Sequence, residues 1–132
     1  TFAAPEAFRM NPDILDFLRR HGIPFRETDD LDGALKDADA VYMTRIQDEH
    51  DKSGESAKVD YSPFHLNAAR MKLLPASSVV LHPLPRREEI PAELDEDPRV
   101  VVFRQERNGM WIRAALIAHI FGLDEAILAK RP

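Results

Sequence analysis

Short apolar, β-branched runs recur along this chain with helix-patterned segments between them, and this alternation limits how it can fold more than any other feature. Ala40-Val41-Tyr42-Met43-Thr44 is one such run, nearly continuous in its apolar character, which predicts a strand buried on both faces. Ser77–Leu81 predicts a second buried strand, and Val100–Phe103 a further β-branched one. Ile23–Thr28 alternates as a shorter strand. Between these runs lie segments of helical spacing. Asn11-Pro12 reads as an N-cap followed by proline at the first helical position, with Ile14, Leu15 and Leu18 on one stripe and His21-Gly22 as the stop. Asp29–Ala38 carries Leu31, Ala34 and Leu35 at helical spacing, with aspartates suited to the positive end of the helix dipole. Phe64–Leu74 predicts another helix. Asn108-Gly109 reads as a lead into a helix over Met110–Phe121, and Asp124 as the cap of a short last one. Strands alternating with helices imply an α/β fold, a doubly wound parallel sheet with helices on both faces.

Composition narrows the functional classes. At 132 residues the chain fits one domain, able to bury roughly 68% of its unfolded surface. Its 44% hydrophobic content excludes intrinsic disorder. With 18 Lys and Arg against 23 Asp and Glu, the net charge of −5 and the dispersed cations argue against a nucleic-acid partner. The longest mainly apolar stretch, Ala114–Leu123, contains His119 and Gly122 and is too short to span a membrane. Residues 1–20 lack the pattern of a signal peptide. There is no cysteine, so no disulfide or thiol nucleophile, which fits a reducing compartment such as the cytoplasm. The five histidines show no i, i+4 pair, and no metal site or phosphate-binding glycine loop can be built from the sequence.

Two hints concern completeness. Thr1-Phe2-Ala3-Ala4-Pro5 reads like the end of a strand whose beginning is missing. The span Met110–Phe121 is apolar almost all round and asks for partners on several sides.

In open α/β sheets, ligands bind at the carboxyl ends of the strands. Two segments fall there. Thr44-Arg45-Ile46-Gln47 follows the Ala40 strand, and its arginine presents a planar fork suited to a carboxylate or phosphate, with Gln47 as a further donor. Pairing of Arg45 with one of the many surface acids is the plainer alternative. His82-Pro83-Leu84-Pro85-Arg86 follows the Ser77 strand. Its alternate prolines remove donors and leave rigid carbonyls suited to an N–H-bearing group, the alternative being a simple proline turn that ends a strand. His82 by itself reads as a packed, hydrogen-bonded histidine. Gln47–Asp60 is polar and charged and reads as a long exposed loop.

The ordered set Tyr42-Met43-Thr44-Arg45-Ile46-Gln47-Asp48-Glu49, then His82–Arg86 with Glu89-Ile90, then Asp97-Pro98-Arg99 and Phe103-Arg104-Gln105 before Asn108-Gly109, resembles the second half of the aspartate carbamoyltransferase catalytic chain. The resemblance runs from Thr1 to about Leu123. It implies a Rossmann-like aspartate-binding domain over residues 1–107, with helices at 108–132 that pack back onto an absent carbamoyl-phosphate domain. It implies transfer of the carbamoyl group of carbamoyl phosphate to the α-amine of L-aspartate, an entry step of pyrimidine biosynthesis, with no cofactor. Arg45 and Gln47 would hold the aspartate side-chain carboxylate. The carbonyls of Pro83, Leu84 and Pro85 would face the carbamoyl and amine nitrogens, and the Leu84-Pro85 bond would be cis. Glu49, His50 and Glu55 would belong to a loop that closes over the substrates. His50 stands where the family commonly has arginine, and Ser56 where an aromatic is common. The family's phosphate-binding and lysine elements belong to the other half, so this chain carries part of a site. A homotrimer is implied, possibly joined by regulatory or other pyrimidine-pathway chains. Two other readings stand beside this one: a non-catalytic aspartate-binding module, and ornithine carbamoyltransferase. The latter family carries cysteine in its corresponding turn, where this chain has Pro83.

Overall fold

The computed structural model describes residues 1–46, 54 and 58–130. Strands and helices alternate, and all strand pairing is parallel, as the run pattern predicts. β1 (Phe2–Ala3) pairs with β2 (Glu27–Thr28), and β3 (Ala40–Tyr42) pairs with β4 (Val79–Leu81) in the register Ala40–Val79, Val41–Val80, Tyr42–Leu81. Among the described residues the ladder is therefore divided into two parallel pairs.

Side chains take over a first-turn N–H group in two of the helices, and proline opens another. α1 (Pro12–Arg20) starts with proline at its first position after Asn11, and ends at His21 with Gly22 at a φ of 63°. α2 (Leu31–Leu35) is capped by Asp30, whose side chain accepts from the Gly33 N–H at 2.8 Å. α3 (Ala68–Met71) is capped by Asn67, which accepts from the Arg70 N–H at 2.9 Å. The core gathers Leu31 and Leu35 of α2, Leu66, Met71 and Leu74 around α3, Val80 of β4, and Ile90, Leu94 and Val102. Val80 of β4, with Val41 of β3 packed beside it, thus joins the same core as α2 and α3.

Several elements depart from the expectations. Val100–Phe103 is not a strand. Val100 makes one parallel bridge to Val80, and the chain then turns at Val101 into α4 (Val102–Ile120). Burial of Val102 against the core outweighs the β-preference of three successive valines. Asn108-Gly109 lies inside α4 rather than ahead of it, because a single glycine costs a long helix only about 1 kcal/mol. The point between residues 107 and 108 falls within this helix. Phe64–Leu74 contracts to α3, since the Asn67 cap starts the helix late and the Leu66 N–H is taken by the Glu89 carbonyl at 2.9 Å. Ile23–Thr28 contracts to β2; Pro24 has no N–H to give a ladder. β3 is not buried on both faces: Ala40 and Tyr42 are exposed, with pairing on the β4 side alone. Asp124 is the first residue of α5 (Asp124–Leu128), with Leu123 in the cap position. Of the loop expected over Gln47–Asp60, only Gly54 and residues 58–60 are described.

The apolar character of α4 is left uncovered. Only Val102 of this helix is buried, while Trp111, Ile112, Leu116, Ile117 and Ile120 are all more than half exposed. No helix among the described residues is long and apolar enough to cross a membrane.

Two arginine–aspartate pairs fasten the connector that leads into α4. Arg99 donates to both carboxylate oxygens of Asp97, at 3.0 and 2.7 Å, and to the Leu74 carbonyl at 3.0 Å. Arg86 pairs with both oxygens of Asp95 and lies over the Phe103 ring. These side-chain hydrogen bonds hold the Asp97 and Asp95 carboxyls below their ordinary value of 3.8. A depressed native value contributes stability that is present above 3.8 and is lost as the pH falls through the native value. We expect the thermal midpoint of the protein carrying this chain to drop as the pH falls below about 4. The midpoint difference between wild type and Asp97→Asn, measured by circular dichroism, should be largest near neutral pH and shrink over that range.

Candidate functional site at the carboxyl ends of the strands

Because the strands are parallel, their carboxyl ends open on one side, and a cleft of about 560 Å³ lies there. Its walls come from Ala3–Pro5 at the end of β1, Tyr42–Ile46 at the end of β3, residues 59–62, Phe64 and His65, and Arg87–Glu89, with Phe8 and Leu31 of α2 completing them. The Met43 N–H extends the β3 ladder by one bond, to the Leu81 carbonyl at 2.9 Å, and Arg45 then leaves the sheet into the cleft. Arg45 is half-buried, and its guanidinium donates to the Ile46 carbonyl at 3.1 Å.

The turn after β4 is built around His82, which is 1% exposed. Its Nδ1 accepts from the Leu84 N–H at 2.8 Å, so the proton of the neutral ring lies on Nε2, which donates to Glu89 Oε1 at 2.8 Å. The same carboxylate oxygen accepts from the Arg87 N–H at 2.8 Å. The His82 N–H donates to Gln105 Oε1 of α4 at 3.0 Å. The Leu84-Pro85 bond is cis, as expected, and Leu84 has a φ of 56°. With both ring nitrogens engaged, His82 is the packed, hydrogen-bonded histidine expected, and it does not serve as a base.

The structure separates the predicted residues. Arg45 lines the cleft; Pro83, Leu84 and Pro85 follow the neighbouring strand on the same side without lining it. Gln47, Glu49, His50, Glu55 and Ser56 lie outside the described residues. Arg87 lines the cleft and was not singled out from sequence, nor was Asp60. The Ser62 side chain and its N–H, which donates to Asp60 Oδ1 at 2.9 Å, hold the Asp60 carboxyl below its ordinary value. Arg45 and Arg87 thus line one concavity together with Asp60, Glu88 and Glu89. No group of three His, Asp or Glu side chains able to hold a metal occurs among the described residues.

The comparisons with known proteins agree with this geometry. The family model described as aspartate/ornithine carbamoyltransferase, Asp/Orn binding domain, matches residues 1–120, and the chain belongs to that family. It is 43% identical over 121 residues to the multifunctional protein CAD of Squalus acanthias, a match spanning 92% of this chain and 5% of that protein. It is 35% identical to the aspartate carbamoyltransferase catalytic subunit of Clostridium novyi, over 92% of this chain and 40% of that subunit. The crystal structure of aspartate transcarbamoylase from Trypanosoma cruzi in complex with carbamoyl aspartate and phosphate superposes with a TM-score of 0.79 at 33% identity. That match covers 88% of this chain and 38% of the other. The chain therefore spans well under half the length of each of these relatives, and shares their α/β carbamoyltransferase fold.

Glu89 is the member of the turn network whose loss has the clearest consequence. Glu89→Ala leaves the His82 Nε2–H and the Arg87 N–H without their acceptor. Each orphaned donor costs about 1–3 kcal/mol, so urea denaturation should show a loss of about 2–6 kcal/mol. Glu89→Gln keeps an accepting oxygen and should lose less than half as much.

Proposed function

We propose that this chain provides the aspartate-binding half of an aspartate carbamoyltransferase site. The observation that carries the proposal is Arg45, delivered half-buried into the cleft at the carboxyl end of β3. In this reading the Arg45 fork holds the side-chain carboxylate of L-aspartate, with Gln47 beside it, and so aims the α-amine. The amine attacks the carbonyl carbon of carbamoyl phosphate, the C–N bond forms, and the C–O bond to phosphate breaks. The amine loses a proton, and the products are N-carbamoyl-L-aspartate and phosphate. Carbonyls of the Pro83–Pro85 turn orient the two nitrogens, and the tight hydrogen bonding of His82 suits a turn that must present them in one geometry. Most of the rate then comes from positioning and from stabilising the tetrahedral intermediate, with no cofactor.

The carbamoyl-phosphate half comes from elsewhere in the protein, in keeping with the greater length of the relatives. Residues 108–132 pack against that half, a reading supported by the uncovered apolar side chains of α4. A homotrimer and a cytoplasmic setting complete the proposal; the cysteine-free sequence suits the latter. Aspartate is preferred to ornithine because Arg45 suits an anionic side chain and the turn carries Pro83.

The test is aspartate-dependent carbamoylation by the natural polypeptide containing this chain. Arg45→Ala should lower kcat/KM for aspartate by about 100-fold or more, since a bidentate charged contact is lost. Unchanged aspartate kinetics would remove Arg45 from the site.

A further inference from the structure

The cleft wall at residues 61–65 is held by a side chain that does not reach the cleft. Arg70, on α3, makes three contacts. Its Nε donates to Asp32 Oδ1 at 2.6 Å, and its Nη1 donates to the carbonyls of His65 at 2.7 Å and Ser62 at 3.4 Å. Ser62 and His65 line the cleft, as does Leu31, the neighbour of Asp32 in the first turn of α2. One guanidinium therefore joins two walls of the cleft that are some thirty residues apart in sequence.

Local structure directs the arginine to this task. Asn67 accepts the Arg70 N–H and so fixes where the side chain leaves α3. Asp30 caps α2, whose first turn carries Asp32 next to the cleft-lining Leu31. The two carbonyls flank a short turn at Ser62–Phe64, and the Ser62 carbonyl also accepts the His65 N–H at 3.2 Å. The Arg70 side chain is 19% exposed, in contrast to the Arg19–Asp16 pair on α1, whose side chains are 60% and 62% exposed. The latter is an ordinary surface ion pair of little weight. Arg70 is a planar fork satisfied on several edges by parts of one wall and its neighbour.

We propose that Arg70 is a positioning residue for the amino-acid substrate: by clamping residues 62–65 to α2 it sets the width of the cleft into which Arg45 projects. The proposal rests on the carbamoyl-transfer reading for its kinetic readout. A wall displaced by a fraction of an ångström misaligns the bound amino acid without touching the chemistry of the carbamoyl donor.

The experiment compares wild type, Arg70→Ala and Asp32→Asn in the natural polypeptide. Arg70→Ala should raise KM for aspartate about tenfold, with kcat changed by no more than about twofold and KM for carbamoyl phosphate unchanged. Asp32→Asn, which weakens one contact of three, should raise it about two- to threefold. Unchanged KM for aspartate, or an equal rise in both KM values, would overturn the proposal whatever happens to thermal stability. If Arg70→Ala does not fold, the Asp32→Asn result decides alone. A wild type without aspartate-dependent turnover would instead refute the transfer reading. The clamp is then judged by deuterium uptake at the Phe64 and His65 amides, where faster exchange in the variants supports it and unchanged exchange rejects it.

Discussion

The buried His82 is the residue on which the arrangement of the site depends, because it ties the turn after β4 to Glu89 and to α4. It takes the Leu84 N–H on one nitrogen, gives its own proton to Glu89 on the other, and through its backbone N–H reaches Gln105 on α4. Gln105 continues to the Tyr42 hydroxyl at the end of β3, 3.4 Å away. A leucine at positive φ is disfavoured by about 1–2 kcal/mol, and the Leu84 N–H bond to His82 offsets that cost. Glu89 in turn fixes Arg87 by its N–H, which is how a residue beyond the turn arrives at the cleft. A fully engaged histidine is a poor proton carrier but a good rivet. Its chemistry here is structural, and the reactive atoms must be oriented by what it holds in place.

The same network explains the shape of α4. Val102 in the core and Gln105 on His82 anchor the first turns of this helix, and nothing among the described residues covers the remainder. Fixed at one end and apolar around its circumference, α4 carries far more exposed apolar surface than an isolated domain tolerates. Its anchored first turns meet, through Gln105, the turn whose carbonyls the proposed mechanism uses.

Legibility from sequence followed the range of the interactions. Asn11-Pro12 and His21-Gly22 delimit α1 because caps act within a turn, and the strands at Ala40 and Ser77 are visible as short, mainly apolar runs. The motif order also disclosed the cis bond at Leu84-Pro85. Misreadings arose where a distant partner overrode a local preference. Val102 becomes helical because the core receives it there, and α3 starts late because the Leu66 N–H is spent on Glu89, 23 residues away. Gln105 carries no periodic signature, since its partners are the His82 backbone and the Tyr42 hydroxyl. Arg87 was concealed by its neighbour: in Arg86-Arg87 nothing local tells which guanidinium turns to Asp95 and which to the cleft.

That last distinction is a general one, and the arginines of this chain resolve it by geometry. Arg99 and Arg86 find aspartates two and nine residues away and are consumed in fastening the connector before α4. Arg70 is spent on two carbonyls and Asp32, so its charge is matched and its directionality is used to hold a wall. Arg45 and Arg87 end in the cleft, one from each of two adjacent strand ends. A chain with net charge −5 has acids enough to absorb every guanidinium on its surface. Delivery of two of them into one concavity therefore requires backbone that points them there: the extra ladder bond at Met43 for Arg45, and the Glu89–His82 network for Arg87. Where the strands stop, rather than how many basic residues the chain contains, decides which arginines line the cleft.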